Sequence, residues 1–332
     1  MPGESPLRTT SQPTEPTLPI IGIVGPTASG KTRLSLQVAA RLRDQAGMDG
    51  VGIVNADAFQ LYLGMDIGTA KPRPAERRGI PHHQFDVLDI GDEASVAVYQ
   101  TRARADIAAI RQRGAVPLMV GGSGLYVRAA LDALDIPPTD PAVRARLEDD
   151  LARSGRTRLW ERLRAQDPSA ASAIDPRNGR RLVRALEVIQ LTGGPFAAAM
   201  PERRFLTPTV LVGLHVARPE LDRRIEERTH LMWRQGFLDE VGDLLARGLD
   251  KAPTASRAVG YREAMGQLAG RLTQADALVQ TVTATRRLAR RQLSWFRADP
   301  RITWLDADHP DLAGLVVDLA IHPAHRRGRM GR

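Results

Sequence analysis

The stretch Ile20-Ile21-Gly22-Ile23-Val24-Gly25-Pro26-Thr27-Ala28-Ser29-Gly30-Lys31-Thr32 decides the fold. Its first five residues are a short apolar run, the pattern of a buried strand. The next eight match G-x-x-x-x-G-K-[ST] in full. The stretch from Lys31 to about Leu42 then reads as a helix. Strand, glycine-rich turn and helix, in that order, form the context that a phosphate loop requires. Glycines let the backbone amides turn inward around phosphate oxygens, and the helix N-terminus adds partial positive charge. Lys31 supplies a point charge, and the Thr32 hydroxyl suits Mg²⁺. Gly25, Pro26, Thr27, Ala28, Ser29, Gly30, Lys31 and Thr32 are therefore the expected phosphate site. The motif is that of nucleotide- and ATP-binding proteins, but it establishes phosphate binding and does not name ATP.

Strand and helix patterns alternate outward from this point. Val51 to Val54 reads as a second strand, residues 94–113 as a helix, and Val116 to Val120 as a strand ending in Gly121-Gly122. Leu211 to Val216 is a late strand able to rejoin the same sheet. This alternation predicts an α/β fold, a P-loop NTPase-like parallel sheet with helices on both faces. Between Pro137-Pro138 and Pro208 the pattern is helical without a convincing strand, so residues 138–207 are expected to form a helical insertion domain. The core then comprises 20–137 and 208–310, with helices over 219–232, 236–247 and 274–297. Residues 1–19 read as a disordered leader, and 311–332 as a helix and a basic tail.

The chain has 332 residues, 42% hydrophobic and 26% charged, enough for about two domains with a real core. It has no cysteine, which excludes a disulfide scaffold, a cysteine-ligated zinc site and a cysteine nucleophile. That usage fits a reducing cytoplasm. No apolar run approaches a membrane span, and the first 19 residues lack the apolar core of a signal peptide. The net charge of +9 is unevenly placed. Residues 1–139 hold 14 basic and 14 acidic side chains, whereas 140–332 hold 33 and 24. A neutral front and a basic back point to a polyanionic partner for the back.

Asp57, in Asn55-Ala56-Asp57-Ala58-Phe59-Gln60, follows the second strand, and ligands in open α/β sheets sit beyond the carboxyl ends of strands. It is placed to act on Mg²⁺ through water, to take a proton from a nucleophile, or to cap a helix. The aperiodic run from Leu61 to Pro72 reads as a loop lining a pocket. His82 and His83 are adjacent, so an extended chain sends them to opposite sides. Packing and hydrogen bonding are expected of them rather than a shared metal.

GPTASGKT, NADAFQLYLGMDIGTAKP, PHHQFDVLD, GGSGLYVRAAL, DPRNGRRLVRALEV, GFLDEV, SRAVGYREA and RRLARRQLSWFR, in that order, resemble the bacterial tRNA dimethylallyltransferases over residues 20 to about 305. The resemblance implies transfer of a dimethylallyl group from dimethylallyl diphosphate to the exocyclic amine of the tRNA adenine at position 37, just 3′ of the anticodon. It implies that Lys31 and Arg228 act on the diphosphate and that Asp57 is the general base. It places Asp57, Ala58, Phe59 and Gln60 on the acceptor, with Ser123 standing where many relatives carry Thr. It also assigns tRNA contacts to Arg144, to Arg180, Arg181 and Arg184, to the segment from Arg257 to Arg262, and to Arg290, Arg291 and Arg297. Mg²⁺ with Thr32 as a ligand, an anticodon stem-loop with adenines at 36 and 37, and a monomer without obligate protein partner complete the expectation. So does a channel in which donor and flipped adenine meet.

The residues support an RNA partner independently. Arg180, Arg181 and Arg184 share one helical side, with Leu182, Val183, Leu186 and Ile189 opposite. Arg286, Arg287, Arg290 and Arg291 repeat the arrangement. Residues 286–301 hold six arginines against one acid, Asp299. Such one-sided faces suit phosphate contacts, whereas one alone is commonly just a solvated surface. Trp295 is a candidate for stacking, while Phe296 continues the apolar stripe. An enzyme prenylating free AMP needs no such basic half. A kinase does not explain the block from Asp57 to Pro72, and an RNA chaperone does not need Lys31, Thr32 and Asp57 intact.

Overall fold

The structure, a computed structural model, describes residues 18–46, 50–197 and 201–322. Most of the leader and the basic end of the tail lie outside the described residues. The described chain forms two compact units, one of residues up to 93, 105–124 and from 207 onward, the other of 94–104 and 125–206.

In the first unit six parallel strands form one sheet: β1 (Ile20–Val24), β2 (Val51–Asn55), β3 (His82–His83), β4 (Val116–Gly121), β5 (Thr209–His215) and β6 (Ile302–Asp306). Their order is β3-β2-β4-β1-β5-β6. β1 lies between β4 and β5, with Ile23 beside Val120 on one side and Val212 on the other. Every residue of β1 and β2 is buried, which explains their unbroken apolar runs. The phosphate loop, Asp57 and Gly121-Gly122 all leave the carboxyl ends of neighbouring strands, so they converge by topology.

Helices α1 (Lys31–Ala46), α7 (Arg218–Arg234), α8 (Phe237–Ala246), α9 (Tyr261–Leu268), α10 (Gln274–Arg297) and α11 (Leu312–Ile321) belong to this unit, while α2 (Val96–Gln112) and α3 (Gly124–Leu131) each run across a unit boundary. Leu34, Val38 and Leu42 of α1 share a core with Ile21 and Ile23 of β1 and with Val316 and Val317 of α11. Burial of each such side chain contributes about 1.5–3 kcal/mol. α11 is thus part of the core rather than an appendage of the tail. β6 was hidden in the sequence because it is only partly buried, so its apolar run is broken, and it follows an arginine-rich helix. β3 is shorter still. Its His82 bonds to the Ile80 carbonyl through Nδ1 at 2.7 Å, and His83 Nδ1 lies 3.3 Å from Asp106. The two histidines therefore have separate partners.

The second unit is wider than residues 138–207. It takes in 94–104 and 125–137, where Tyr99 packs on Tyr126 with ring centroids 4.5 Å apart. Buried Arg128 and Asp132 pair at 2.7 Å. Its centre is a helical cluster of α4 (Pro141–Gln166), α5 (Pro168–Ala173) and α6 (Gly179–Thr192), with Leu147, Leu163, Leu182 and Leu186 buried together. Asp140 caps α4 by accepting the N–H groups of Ala142 and Val143.

Candidate active site

The phosphate loop bends as its glycines allow. Gly25 and Gly30 have φ of +150° and +90°, and Ala28 takes the left-handed region at 61°. Lys31 turns back over the loop, with Nζ donating to the Pro26 carbonyl at 2.6 Å. Burial draws the Lys31 ammonium down to about 8. Asp57 opposes that shift and Arg228 adds to it.

Asp57 follows β2 without a helix after it. Its Oδ1 accepts the Phe59 N–H at 3.0 Å, an Asx turn, so the helix-cap reading does not apply. Asn55 Oδ1 accepts the Asp57 N–H at 2.9 Å, and Asn55 Nδ2 donates to the Asp57 and Gln84 carbonyls. The Ser123 hydroxyl accepts the Ala58 N–H at 3.3 Å, and its N–H donates to the Ala56 carbonyl. Gly121 is required there, since a Cβ would lie 2.2 Å from the Ala56 oxygen. Ser123 thus fastens the turn that carries Asp57.

Arg228, on α7, donates to Thr27 Oγ1 at 3.1 Å. It is no solvated helix charge. Burial pulls its guanidinium below the ordinary range, and Asp57 partly restores it. Thr27, Lys31, Thr32, Asp57, Gln60 and Arg228 line one cleft of about 640 Å³. A smaller cavity of about 80 Å³ adjoins the same Thr27, Asp57 and Arg228, with Phe59, Ile225, Met232 and Leu288 in its walls. A phosphate cradle, two cations, a carboxylate and a partly apolar recess therefore surround one point. That set can hold an anionic leaving group, shelter a small apolar group and accept a proton.

The sequence pattern of the IPP transferase family matches residues 60–299. The tRNA dimethylallyltransferase of Nocardioides sp. is 54% identical over 92% of this chain and 97% of its own length. That of Thermobifida fusca is 56% identical over 88% and 91%. The chain belongs to the IPP transferase family. Among solved structures, the tRNA isopentenylpyrophosphate transferase of Bacillus halodurans superposes with a TM-score of 0.65. It is 36% identical and covers 93% of this chain and 96% of that one.

The residues that family resemblance assigns to tRNA fall into different surroundings. Arg257, Arg262, Arg290, Arg291 and Arg297 are exposed, and no partner for them occurs among the described residues. Arg286 differs from its neighbours, bonding Glu226 at 3.0 Å. Arg180 and Arg181 are exposed on α6. Arg144 and Arg184 instead share Glu187, at 3.1 and 2.7 Å, and Arg184 also donates to the Pro137 and Pro138 carbonyls. Burial raises the Glu187 carboxyl. Hydrogen bonds from Thr139, Arg184, the Asp140 N–H and Arg144 outweigh that and hold it below its usual range. Gln60 Nε2 donates to the Thr69 carbonyl at 3.0 Å, and Phe59 walls the small cavity.

Two supports of this IPP transferase site were not singled out from the sequence. Glu240, in GFLDEV, accepts the N–H groups of Asp66, Ile67 and Gly68 at 3.0, 2.6 and 3.2 Å and the Tyr261 hydroxyl at 2.6 Å. It pins the loop read as lining the pocket. Gly68 must lack a side chain there, since a Cβ would come within 2.4 Å of Phe237. The second support is Gln292, whose Oε1 accepts the Thr27 N–H at 2.8 Å. A neutral polar residue three positions after buried Ala289 was the available signal.

Proposed function

We propose that the protein transfers the dimethylallyl group of dimethylallyl diphosphate to N6 of the adenosine at position 37 of tRNA, releasing diphosphate. The observation that carries this reading is the convergence of the phosphate loop, Arg228 and Asp57 on a cleft with a small adjoining recess walled in part by Phe59, Ile225, Met232 and Leu288. Relatives named tRNA dimethylallyltransferases at more than 50% identity support the acceptor. As the allylic C–O bond breaks, its electron pair goes to the diphosphate. Lys31, Arg228 and the loop amides stabilise that charge where it develops. The adenine amine forms the new C–N bond and gives its proton to Asp57. Its lone pair is delocalised into the ring, so a positioned carboxylate matters. The recess, at about 80 Å³, adjoins Asp57 and Arg228, where the short apolar chain of the donor would lie. The adenine would be flipped from its stack to reach the site.

Oxygen donors suit Mg²⁺, and Thr32 and Asp57 line one cleft. Among the described residues no cluster of three or more His or acidic side chains could cage a metal. A metal held by Thr32 and by the donor's phosphates fits this set. It would supply charge neutralisation on the diphosphate. We take the exposed arginines of α6, α9 and α10, with Arg257, as the surface for an anticodon stem-loop, and the enzyme as a cytoplasmic monomer. No helix among the described residues is long and apolar enough to cross a membrane.

The test is incubation with labelled dimethylallyl diphosphate, Mg²⁺ and either a stem-loop bearing adenines at 36 and 37 or free AMP. Label in the RNA alone is expected. Label in AMP alone, or in neither, overturns the reading.

A further inference from the structure

Gln292 sits on α10 one residue beyond Arg291. Arg287, Arg290 and Arg291 are exposed, whereas Ala289 and Phe296 are buried. Position 292 lies three and four residues from those buried neighbours, which turns it inward. Its Oε1 accepts the Thr27 N–H at 2.8 Å. A backbone N–H only donates, so this bond fixes the orientation of the side-chain amide. Its Nε2 lies against Gly122, where a Cβ would come within 2.4 Å of it. Thr27 is therefore held twice, at its N–H by α10 and at its hydroxyl by Arg228 of α7. Gln292 also lines both the large cleft and the small cavity.

Amides of a phosphate loop are ordinary phosphate ligands. Here one of them is bonded to a helix 265 residues away in sequence, and that helix also presents the exposed arginine face. We propose that Gln292 is a positioning residue that links RNA docking on α10 to the shape of the phosphate loop, so that RNA and diphosphate each strengthen the binding of the other. The inference rests on the reading of the loop as the donor-diphosphate site. A helix moves as a stiff body, so a displacement at Arg290 and Arg291 is transmitted to the next residue and to Thr27. The coupling is reciprocal: the factor by which RNA tightens diphosphate equals the factor by which diphosphate tightens RNA.

Calorimetry of pyrophosphate binding to the full chain, with and without saturating anticodon stem-loop RNA, tests this. Wild type is compared with Gln292→Leu, which removes the acceptor, and Gln292→Glu, which keeps an acceptor for the Thr27 N–H. The expected ratio of affinities with and without RNA is about fivefold or more in wild type. It falls to about one in Gln292→Leu. It returns in Gln292→Glu, even though the added charge weakens pyrophosphate binding in both states. A residue that merely stabilised the fold would lower the melting temperature and leave the ratio intact. Gln292→Met removes the same acceptor if the leucine variant fails to fold. Equal ratios in wild type and either apolar variant, or a wild-type ratio of one, overturn the inference while the proposed function stands on the labelling assay. Wild type that binds no pyrophosphate overturns the phosphate-loop reading and this inference with it.

Discussion

Two arginine clusters look alike in sequence and differ in the folded chain. On α6 and its neighbourhood, Arg184 and Arg144 surround the fully buried Glu187, and Arg184 also ties down two proline carbonyls. On α10, Arg287, Arg290 and Arg291 face solvent with no acid against them among the described residues. Helical spacing places side chains on one face, but it does not say whether their charge is already used. An acid elsewhere decides that. Arg184 sits three residues before Glu187, which sequence spacing alone reveals, but only the fold shows that Glu187 points into a core. Arg144 and Arg184 hold their unit together, whereas Arg287, Arg290 and Arg291 are free to meet a polyanion.

That contrast is open to measurement, and the largest effect comes from the group outside both clusters. Asp57→Ala is expected to lower turnover by about 10²–10⁴ while RNA affinity, measured by filter binding, stays at the wild-type value. Near-normal turnover would remove Asp57 as the base. Glu187→Ala comes next. It leaves two arginines facing a buried site, at a cost of about 3 kcal/mol in chemical denaturation. That is the lower end for a broken buried pair, since both arginines remain 26% exposed. Unchanged stability would place the two clusters in the same class after all. Charge reversal of Arg287 and Arg291 together is expected to shift stability by no more than about 0.5 kcal/mol. It should reduce the slope of log affinity against log salt by about two. An intact slope would make α10 a plain surface.

The remaining effect is a pH dependence. Burial lowers the Lys31 ammonium to about 8, between Asp57, which favours the charge, and Arg228, which disfavours it. The cation attracts the diphosphate and is lost as pH rises through that value. Donor KM is therefore expected to be flat below pH 8 and to rise above it, by up to about tenfold per unit. A KM independent of pH up to 10 would show that Lys31 stays charged in the free enzyme.

Much of this was legible in the sequence because the signals were local. The strand-loop-helix order at Ile20 to Thr32, the buried strands at 51 and 116, and the position of Asp57 each depend on a few adjacent residues. Arg228 needed the family resemblance, since its own surroundings of alternating Glu and Arg look like solvated helix. Glu240 and Gln292 depend on contacts across 174 and 265 positions, which periodicity does not encode. β6 was missed for a similar reason: Ile302 gains its strand identity by pairing with Leu211.

The central strand of the sheet also dictates a schedule. β1 is made before both of its neighbours, which begin at residues 116 and 209, and the amide of Thr27 finds its partner only at residue 292. At about 5–20 residues per second, a ribosome leaves that amide waiting roughly 13–50 seconds. Through that interval a nascent chain would display a phosphate motif without a finished phosphate site. The phosphate loop is made before its partners and completed only after the last of them.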